Sequence, residues 1–520
     1  MSAGRPLDGL RSPTARGAKL AAGAYSIGLA VALLATAAAR AAPAHPEVLV
    51  VVNDASKTSV AIGEAYLRLR GVPAQNLVHL QVPLGDDAAL ATPAHERIDR
   101  TGYTARVRDP IARFLRQNDP GGRIRILVTT KGVPMRVEDD EPGVRPDQRR
   151  TAAVDAELAV LFSPLEGHAG IAGAANPYFR SSLPFEAWRN RYPDAPLRYL
   201  VARLTGYPDD PDPNTGVPRD IAALLAHAVA PDPGGTWVID ENPHQHSGYH
   251  AGNFAMLRPA AAALGALGAP LLHDTAPEFV SGVDLIAGYA SWGSNDADHP
   301  PPPYFGKISG RDYPGRFAPR SIAVTLVSTD ARTFSRVKEP YGQSLIADLI
   351  HLGVGGAAGN VDEPLLAGVA RPMLLVDYAR GAPAAEAFYR NVPYLSWMNL
   401  YVGDPLMQVA RPFAAVADSD GDGVPDRRDD CREQPNPDQR DSDGDGFGDV
   451  CDGDFDQDGV VGASDVVLFE RALRTGARLP GADLDGDGVV DDRDRSVLTV
   501  ELGHPPGPGS GDLAALRSHP

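Results

Sequence analysis

One frame recurs four times between residues 418 and 494: Asp at positions 1, 3 and 5, Gly at 6 and Asp at 12. The copies are Asp418, Asp420, Asp422, Gly423, Asp429; Asp441, Asp443, Asp445, Gly446, Asp452; Asp454, Asp456, Asp458, Gly459, Asp465; and Asp483, Asp485, Asp487, Gly488, Asp494. Residues 418–495 hold 22 Asp and 2 Glu against 9 Arg, which is −15 of the chain's −18. A block this acidic either stays extended through self-repulsion or gathers cations. The fixed register decides for cations. Alternate residues turn three carboxylates toward one point, and the Gly allows the sharp turn. The position-7 residue, Val424, Phe447, Val460 or Val489, offers a carbonyl. So many hard oxygen donors suit calcium. A solvated acidic tail explains neither the glycine nor the register.

This is the geometry of an EF-hand loop, but the four copies are of two types. The first two lack long flanking helices and bracket Cys431 and Cys451, the only cysteines in the chain. In an exported protein an isolated pair of this kind reads as a disulfide. The string DSDGDGVPDRRDDCREQPNPDQRDSDGDGFGDVCD resembles thrombospondin type 3 repeats over residues 418–453, with Asp426 and Asp449 at position 9 as further ligand candidates. Such repeats bury little apolar area, so bound ions and the disulfide are expected to hold them. The last two copies each run into a helix pattern, with Val466, Phe469 and Leu473 on one face and Val497 and Val500 on another. GDFDQDGVVGASDVVLFERAL and ADLDGDGVVDDRDRSVLTVEL resemble the paired half-motifs of a dockerin domain over residues 454–503. That resemblance implies a cohesin-like partner met through the helices and loop positions 10 and 11. Those are Ala463 and Ser464 in one copy and Asp492 and Arg493 in the other, an unlike pair. The alternative is a purely structural module. The Pro/Gly tail over 504–520 is expected to be disordered.

At the other end, Arg5, Arg11, Arg16 and Lys19 precede an apolar run over 21–39, followed by Ala39-Arg40-Ala41. This reads as a signal peptide over 1–41, cleaved on export, and no later segment is apolar and long enough to span a membrane. A secreted or cell-surface location follows. The acidic balance argues against a nucleic-acid partner, which requires a basic surface.

Between 46 and 411 short apolar runs alternate with helical patterns. Strands are expected at 47–52 (EVLVVV), 76–82, 123–129, 236–239, 283–290 and 321–326, and helices at 56–70, 109–116, 221–229, 254–267 and 344–352. The alternation predicts an α/β domain, a mostly parallel sheet with helices on both faces and its sites at the carboxyl ends of the strands.

The strings VVNDASKTSVAIGEAYLRLRGVPAQNL, LVTTKGVP, VDAEL, YLVARLTGYP, GYASWGSND, GNVDEP and YLSWMNLYVGDPL resemble an uncharacterised family of secreted bacterial proteins. The order of elements resembles gingipain-type peptidases of the caspase-like fold, with Gly403-Asp404-Pro405 matching a string near their end. On that resemblance Trp292 stands where the catalytic His belongs and Val327-Ser328-Thr329 where the Cys belongs, and this region has no Cys at all. The thiol dyad is absent, so a binding or scaffolding role is one reading. The other is a hydrolase acting on peptide or polysaccharide through Ser291, Ser294 or Ser328, with Asp296, Asp298 and His299 nearby. Asp362 and Glu363, beside Asn360, are further candidate acids, paired with Asp296 or Asp404. His244, His246 and His250 with Asp240 could hold a transition metal, or simply occupy a surface loop. The glycines of 353–359 follow a helix rather than a strand, so they read as a helix end and a close backbone approach instead of a phosphate loop.

Overall fold

The computed structural model describes residues 45–138, 151–166, 174–241, 252–276, 278–293, 305–308, 311–336, 343–413, 424, 429–432, 434–503 and 505–507. The segment 1–41, Ser294, Asp296, Asp298, His299, the histidines at 244, 246 and 250, and Asp418, Asp420, Asp422 and Asp426 of the first loop lie outside them, as does nearly all of 504–520.

Ten strands form one sheet: β1 Val48–Asn53, β2 Leu77–Leu80, β3 Ile126–Thr130, β4 Leu200–Leu204, β5 Thr236–Asp240, β6 Leu271–Asp274, β7 Val283–Ser291, β8 Gly315–Thr325, β9 Gly356–Asn360 and β10 Asn399–Gly403. Their order is β2-β1-β3-β4-β10-β9-β8-β7-β5-β6. All pairings are parallel except β9 with β10, where Asn360 faces Asn399 and Gly356 faces Gly403; β10 meets β4 through the single pair Val402 and Arg203. All six residues of β1 are buried. Successive side chains point to opposite faces, so both faces of β1 are covered, as its unbroken apolar run requires.

Helix α1 Lys57–Arg70 links β1 to β2. Ser56 caps it by accepting from Ser59 N, and Gly71 ends it at φ 62°, a left-handed conformation that glycine adopts without strain. Helices α2 Asp109–Asn118, α3 Phe185–Arg191, α4 Arg219–Val229, α5 Arg258–Ala266 and α6 Ile346–His351 fall among the later strands. The helix expected at 254–267 begins as a wide π turn, Asn253–Leu257, and α2 is likewise preceded by one, Thr104–Arg108. In each case a proline, Pro259 or Pro110, sits at the start of the α-helix that follows. Proline has no N–H to close the regular turn.

The glycine run divides in two. Gly353 ends α6, whereas Gly356 and Gly359 lie within β9, a buried strand. A Cβ at Gly356 would collide with the Tyr401 hydroxyl of β10, so the sequence GAAGN serves close strand packing in mid-sheet.

Strand order reverses twice. The chain steps from β1 out to β2 and then back across β1 to β3; it steps from β5 out to β6 and then back across β5 to β7. Each reversal leaves a crevice at the carboxyl ends of the two inner strands, where ligands of open α/β sheets bind.

Beyond the sheet, α7 Ala463–Thr475 and α8 Asp492–Glu501 each follow an Asp loop. They enclose a second small core of Val461, Phe469, Ala482, Leu484 and Leu498.

Candidate functional site

In the second loop, Asp441, Asp443 and Asp445 bring one carboxylate oxygen each to within 4.8 Å of one another. In the third the group is Asp454, Asp456 and Asp465; in the fourth it is Asp483, Asp485 and Asp494. The loops build these groups in the same way. The position-1 carboxylate accepts from the position-6 N–H: Gly446 to Asp441 at 3.0 Å, Gly459 to Asp454 at 2.7 Å, Gly488 to Asp483 at 3.0 Å. All three glycines have φ between 88° and 97°, where a side chain would be strained. The position-5 carboxylate accepts from the N–H of the position-7 residue, Phe447, Val460 or Val489.

The two loop types differ at position 12. Asp465 and Asp494 join their groups, accept from the position-3 N–H of Asp456 and Asp485, and cap α7 and α8. The helix thus delivers the last carboxylate to its loop. Asp458 and Asp487, expected as ligands at position 5, lie outside these tight groups. In the second loop it is Asp452, expected at position 12, that stands apart. It is bonded by Asp454 N, and burial, with Asp445, Asp443 and Asp454 close by, pushes it up to about 8. Asp449 at position 9 also lies outside the group, accepting from Ser442 N and Ser442 Oγ at 2.7 Å each. Every donor in the three groups is a carboxylate, which fits a hard divalent cation and calcium in particular. Of the first loop, Val424 and Asp429 are described; Asp429 is buried and accepts from Cys431 N. Cys431 and Cys451 are bridged, as the sequence predicts.

The α/β domain carries a buried polar row along its strand ends. Asp240 of β5 pairs with Ser291 of β7, and Ser291 with Thr325 of β8. Thr325 Oγ1 donates to Asp330 at 2.6 Å, Asp330 accepts from Asn360 N at 2.7 Å, and Asn360 Oδ1 accepts from Asn399 Nδ2 at 2.7 Å. Burial raises Asp330 to about 7 and Asp240 to about 8, with Asp274 adding to the latter. Asp240 Oδ1 is enclosed without a hydrogen-bond partner, although Oδ2 accepts from Val280 N. This row occupies the crevice between β5 and β7. The other crevice, between β1 and β3, is filled by the chain itself. Asn53 Nδ2 bonds the Val82 and Gly132 carbonyls, and Asp87 caps α1 through Ser56 Oγ and Thr58 N.

Nearby, Lys131 follows β3 and is 2% exposed. Its Nζ donates to the Phe334 carbonyl at 3.0 Å, while Phe334 N donates to buried Glu96 at 2.7 Å. Burial lowers Lys131 to about 8 against the pull of Glu96; burial and Lys131 lower His95 to about 4. Together with Arg136 bonding the Val361 carbonyl, these contacts tie the loops after β3, β8 and β9 to one another.

Among the described residues, the candidates Ser291, Ser328, Asp362 and Glu363 of the α/β domain do not assemble into one site. Ser291 Oγ is buried and accepts from Gly293 N at 3.0 Å. Asp362 follows β9, two strands from β7, which places it on the order of 10 Å away. Asp362 accepts from Glu363 N and Glu363 from Leu365 N, so both acids cap their own turn. The expected pairing of Asp362 with Asp404 is corrected: they follow opposite ends of the antiparallel β9/β10 pair. Asp404 is instead a buried tie to α1, accepting from Tyr66 Oη at 2.8 Å and from Arg70. Ser328 lies half-buried on the loop after β8. Among the described residues no histidine is hydrogen-bonded to Ser291 or Ser328. Sequence reasoning passed over Lys131, Glu96 and Asp330. The signal for Lys131 was present, a lone cation directly after the buried run ILVTT; Glu96 ends a single 3-10 turn, Pro93–Glu96, and Asp330 lies in a turn, with no pattern to mark either.

Residues 416–439 and 440–466 match the thrombospondin type 3 repeat. The second match runs through the third Asp loop to the start of α7, beyond the boundary at 453 expected from the sequence. No curated protein and no solved structure matches the chain. The type 3 repeat is a calcium-binding module typical of extracellular proteins. Among the described residues no helix is long and apolar enough to cross a membrane.

Proposed function

We propose that this chain is an exported, calcium-folded modular protein whose α/β domain acts as a binding or scaffolding module and whose C-terminal unit attaches it to a surface or partner. The reading is carried by three carboxylate groups built on one loop frame, each converging within 4.8 Å. Unneutralised, such groups repel; calcium converts that repulsion into the force that folds the segment. Attachment through a dockerin-like contact with a cohesin-like module is supported by α7 and α8, each started by a loop carboxylate and sharing one small core. A gingipain-like architecture without its thiol dyad is our reading of the sheet, supported by its parallel strands and the one antiparallel pair.

Calorimetric titration of the metal-free chain with calcium tests the proposal. At least three binding events coupled to a gain of ordered structure are expected; heat without structural change would refute it.

A second reading, an extracellular hydrolase acting on peptide or polysaccharide, is favoured by the unpartnered Asp240 oxygen beside Ser291 in the β5/β7 crevice. Turnover of peptide or glycan substrates, abolished by Asp240→Asn in a chain that still folds, would support it.

A further inference from the structure

We propose that the groove between residues 177–183 and the loop after α3 binds an acidic polysaccharide, seating uronic-acid carboxylates on Arg180 and Arg191 and a sugar face on Tyr192. This names a ligand for the binding role given above and rests on that reading. The groove has a volume of about 750 Å³, within the range of ligand sites.

Its floor is aromatic. Trp188 is buried, with its ring 5.0 Å from Tyr178 and 6.0 Å from Phe185. Tyr192 packs 5.7 Å from Trp188 yet is 45% exposed, so part of its ring is open to contact with a sugar. The Arg191 guanidinium sits over the Tyr192 ring, 5.6 Å from its centroid, and that of Arg180 over Phe179 at 5.1 Å, so each is held on an aromatic ring with its N–H edge as the remaining binding surface. Among the described residues no carboxylate is bonded to Arg180 or Arg191. A planar guanidinium left in this state is suited to bidentate capture of a carboxylate.

The surroundings are basic, whereas the chain outside residues 418–495 is near neutral overall, at −3. Residues 177–198 contain four arginines and two acids, and one of those acids, Glu186, is already bonded by Arg125. Burial pushes Arg189 down, and Arg198 and Arg125 push it further. Two of these arginines fix the wall rather than face a ligand. Arg189 Nη1 donates to the Tyr192 and Ala195 carbonyls at 3.1 and 3.4 Å, and Arg198 to the Pro193 carbonyl. With Pro177, Pro193 and Pro196 restricting the backbone, little ordering cost remains for a ligand. Asp194, the one acid in the lining, can accept from sugar hydroxyls. An acidic sugar uses all three features at once: charge, flat face and hydroxyls.

The test is calorimetric titration of the full, calcium-loaded chain with a glucuronic-acid oligosaccharide, its carboxyl-reduced neutral form and a poly-glutamate peptide of similar charge. Binding of the acidic sugar alone is expected. Arg180→Ala with Arg191→Ala should weaken it about tenfold or more, as should Tyr192→Ala, with thermal stability unchanged. Equal binding of the neutral sugar or of poly-glutamate would overturn the proposal, as would affinity indifferent to these substitutions or no binding at all. Calcium-dependent folding read in the same samples tells failure of this site apart from failure of the broader reading.

Discussion

Arg440, just before the second Asp loop, donates through Nη1 to Asp483, the first ligand position of the fourth loop, at 3.0 Å. Its Nε reaches Asp449 at the same distance. One guanidinium therefore joins the disulfide-bearing repeats to the helix-bearing pair. Gln457 Nε2 adds a bond to Asp443, between the third and second loops. Two modules that read as separate along the sequence are tied together in space.

Calcium removal should accordingly melt residues 429–503 as one unit and leave the α/β domain folded. Scanning calorimetry with and without chelator is expected to show one transition lost or lowered and one unmoved. Arg440→Ala should split the calcium-dependent transition in two; a single unaltered transition in that variant would count against the coupling.

Phe469 is fully buried in a core of only five buried side chains. Phe469→Ala should cost about 3–5 kcal/mol, and so small a core has no reserve to absorb it. The tail of this variant is expected to stay unfolded at calcium concentrations that saturate the parent, as read by limited proteolysis.

The Cys431–Cys451 bridge closes a loop with a sequence separation of 20 residues. Its reduction should cost on the order of 3 kcal/mol, felt first around Asp429 and the second loop. Hydrogen exchange before and after reduction tests this; equal loss of protection in the third and fourth loops would show that Arg440 carries the strain across.

The chain's organisation was legible wherever a pattern is local. The unbroken apolar run of β1 announced a strand covered on both faces, and the Asp frames announced their own loops, down to the glycine at position 6. Strand β10 was not legible. It is five residues whose seat, antiparallel to β9 and touching β4 through one pair, is set by partners far along the chain. Asp404 shows the same limit: the sequence offers it as a possible partner of Asp362, and only the fold reveals that Tyr66 and Arg70 hold it from α1. The strand-end row was half visible, because Ser291 and Asn360 end apolar strands, whereas Asp330 comes from a loop.

Asp240 makes stability depend on pH. Its carboxyl is raised to about 8 in the folded chain, mainly by burial, above the usual value of 3.8. The folded state therefore holds a proton that the unfolded state releases. The stability this group contributes is complete below about pH 4 and declines as pH rises toward 8. Asp240→Asn, which cannot ionise, should melt several degrees higher than the parent at pH 8, with the gap closing near pH 4. A constant gap across that range would mean that Asp240 is ionised when folded.

Arg70→Ala should destabilise the α/β domain by about 3 kcal/mol or more, because it leaves the fully buried Asp404 carboxylate with Tyr66 but without its cation. Urea unfolding measures this; restoring stability with Asp404→Asn in the same chain would show that the lost charge partner, rather than lost packing, was the cause.

The grip of Lys131 and Glu96 on the two faces of one peptide residue, Phe334, also bears on the order of assembly. Both charged groups belong to the first third of the chain and the residue that satisfies them lies some two hundred positions later. A chain emerging from its N-terminus cannot bury this ammonium and carboxylate until residue 334 has arrived. The early strands must wait, solvated and incomplete, for the later ones. Fragments ending before Phe334 should therefore be less stable than the full chain, because Lys131 and Glu96 lose the partner that satisfies them when buried.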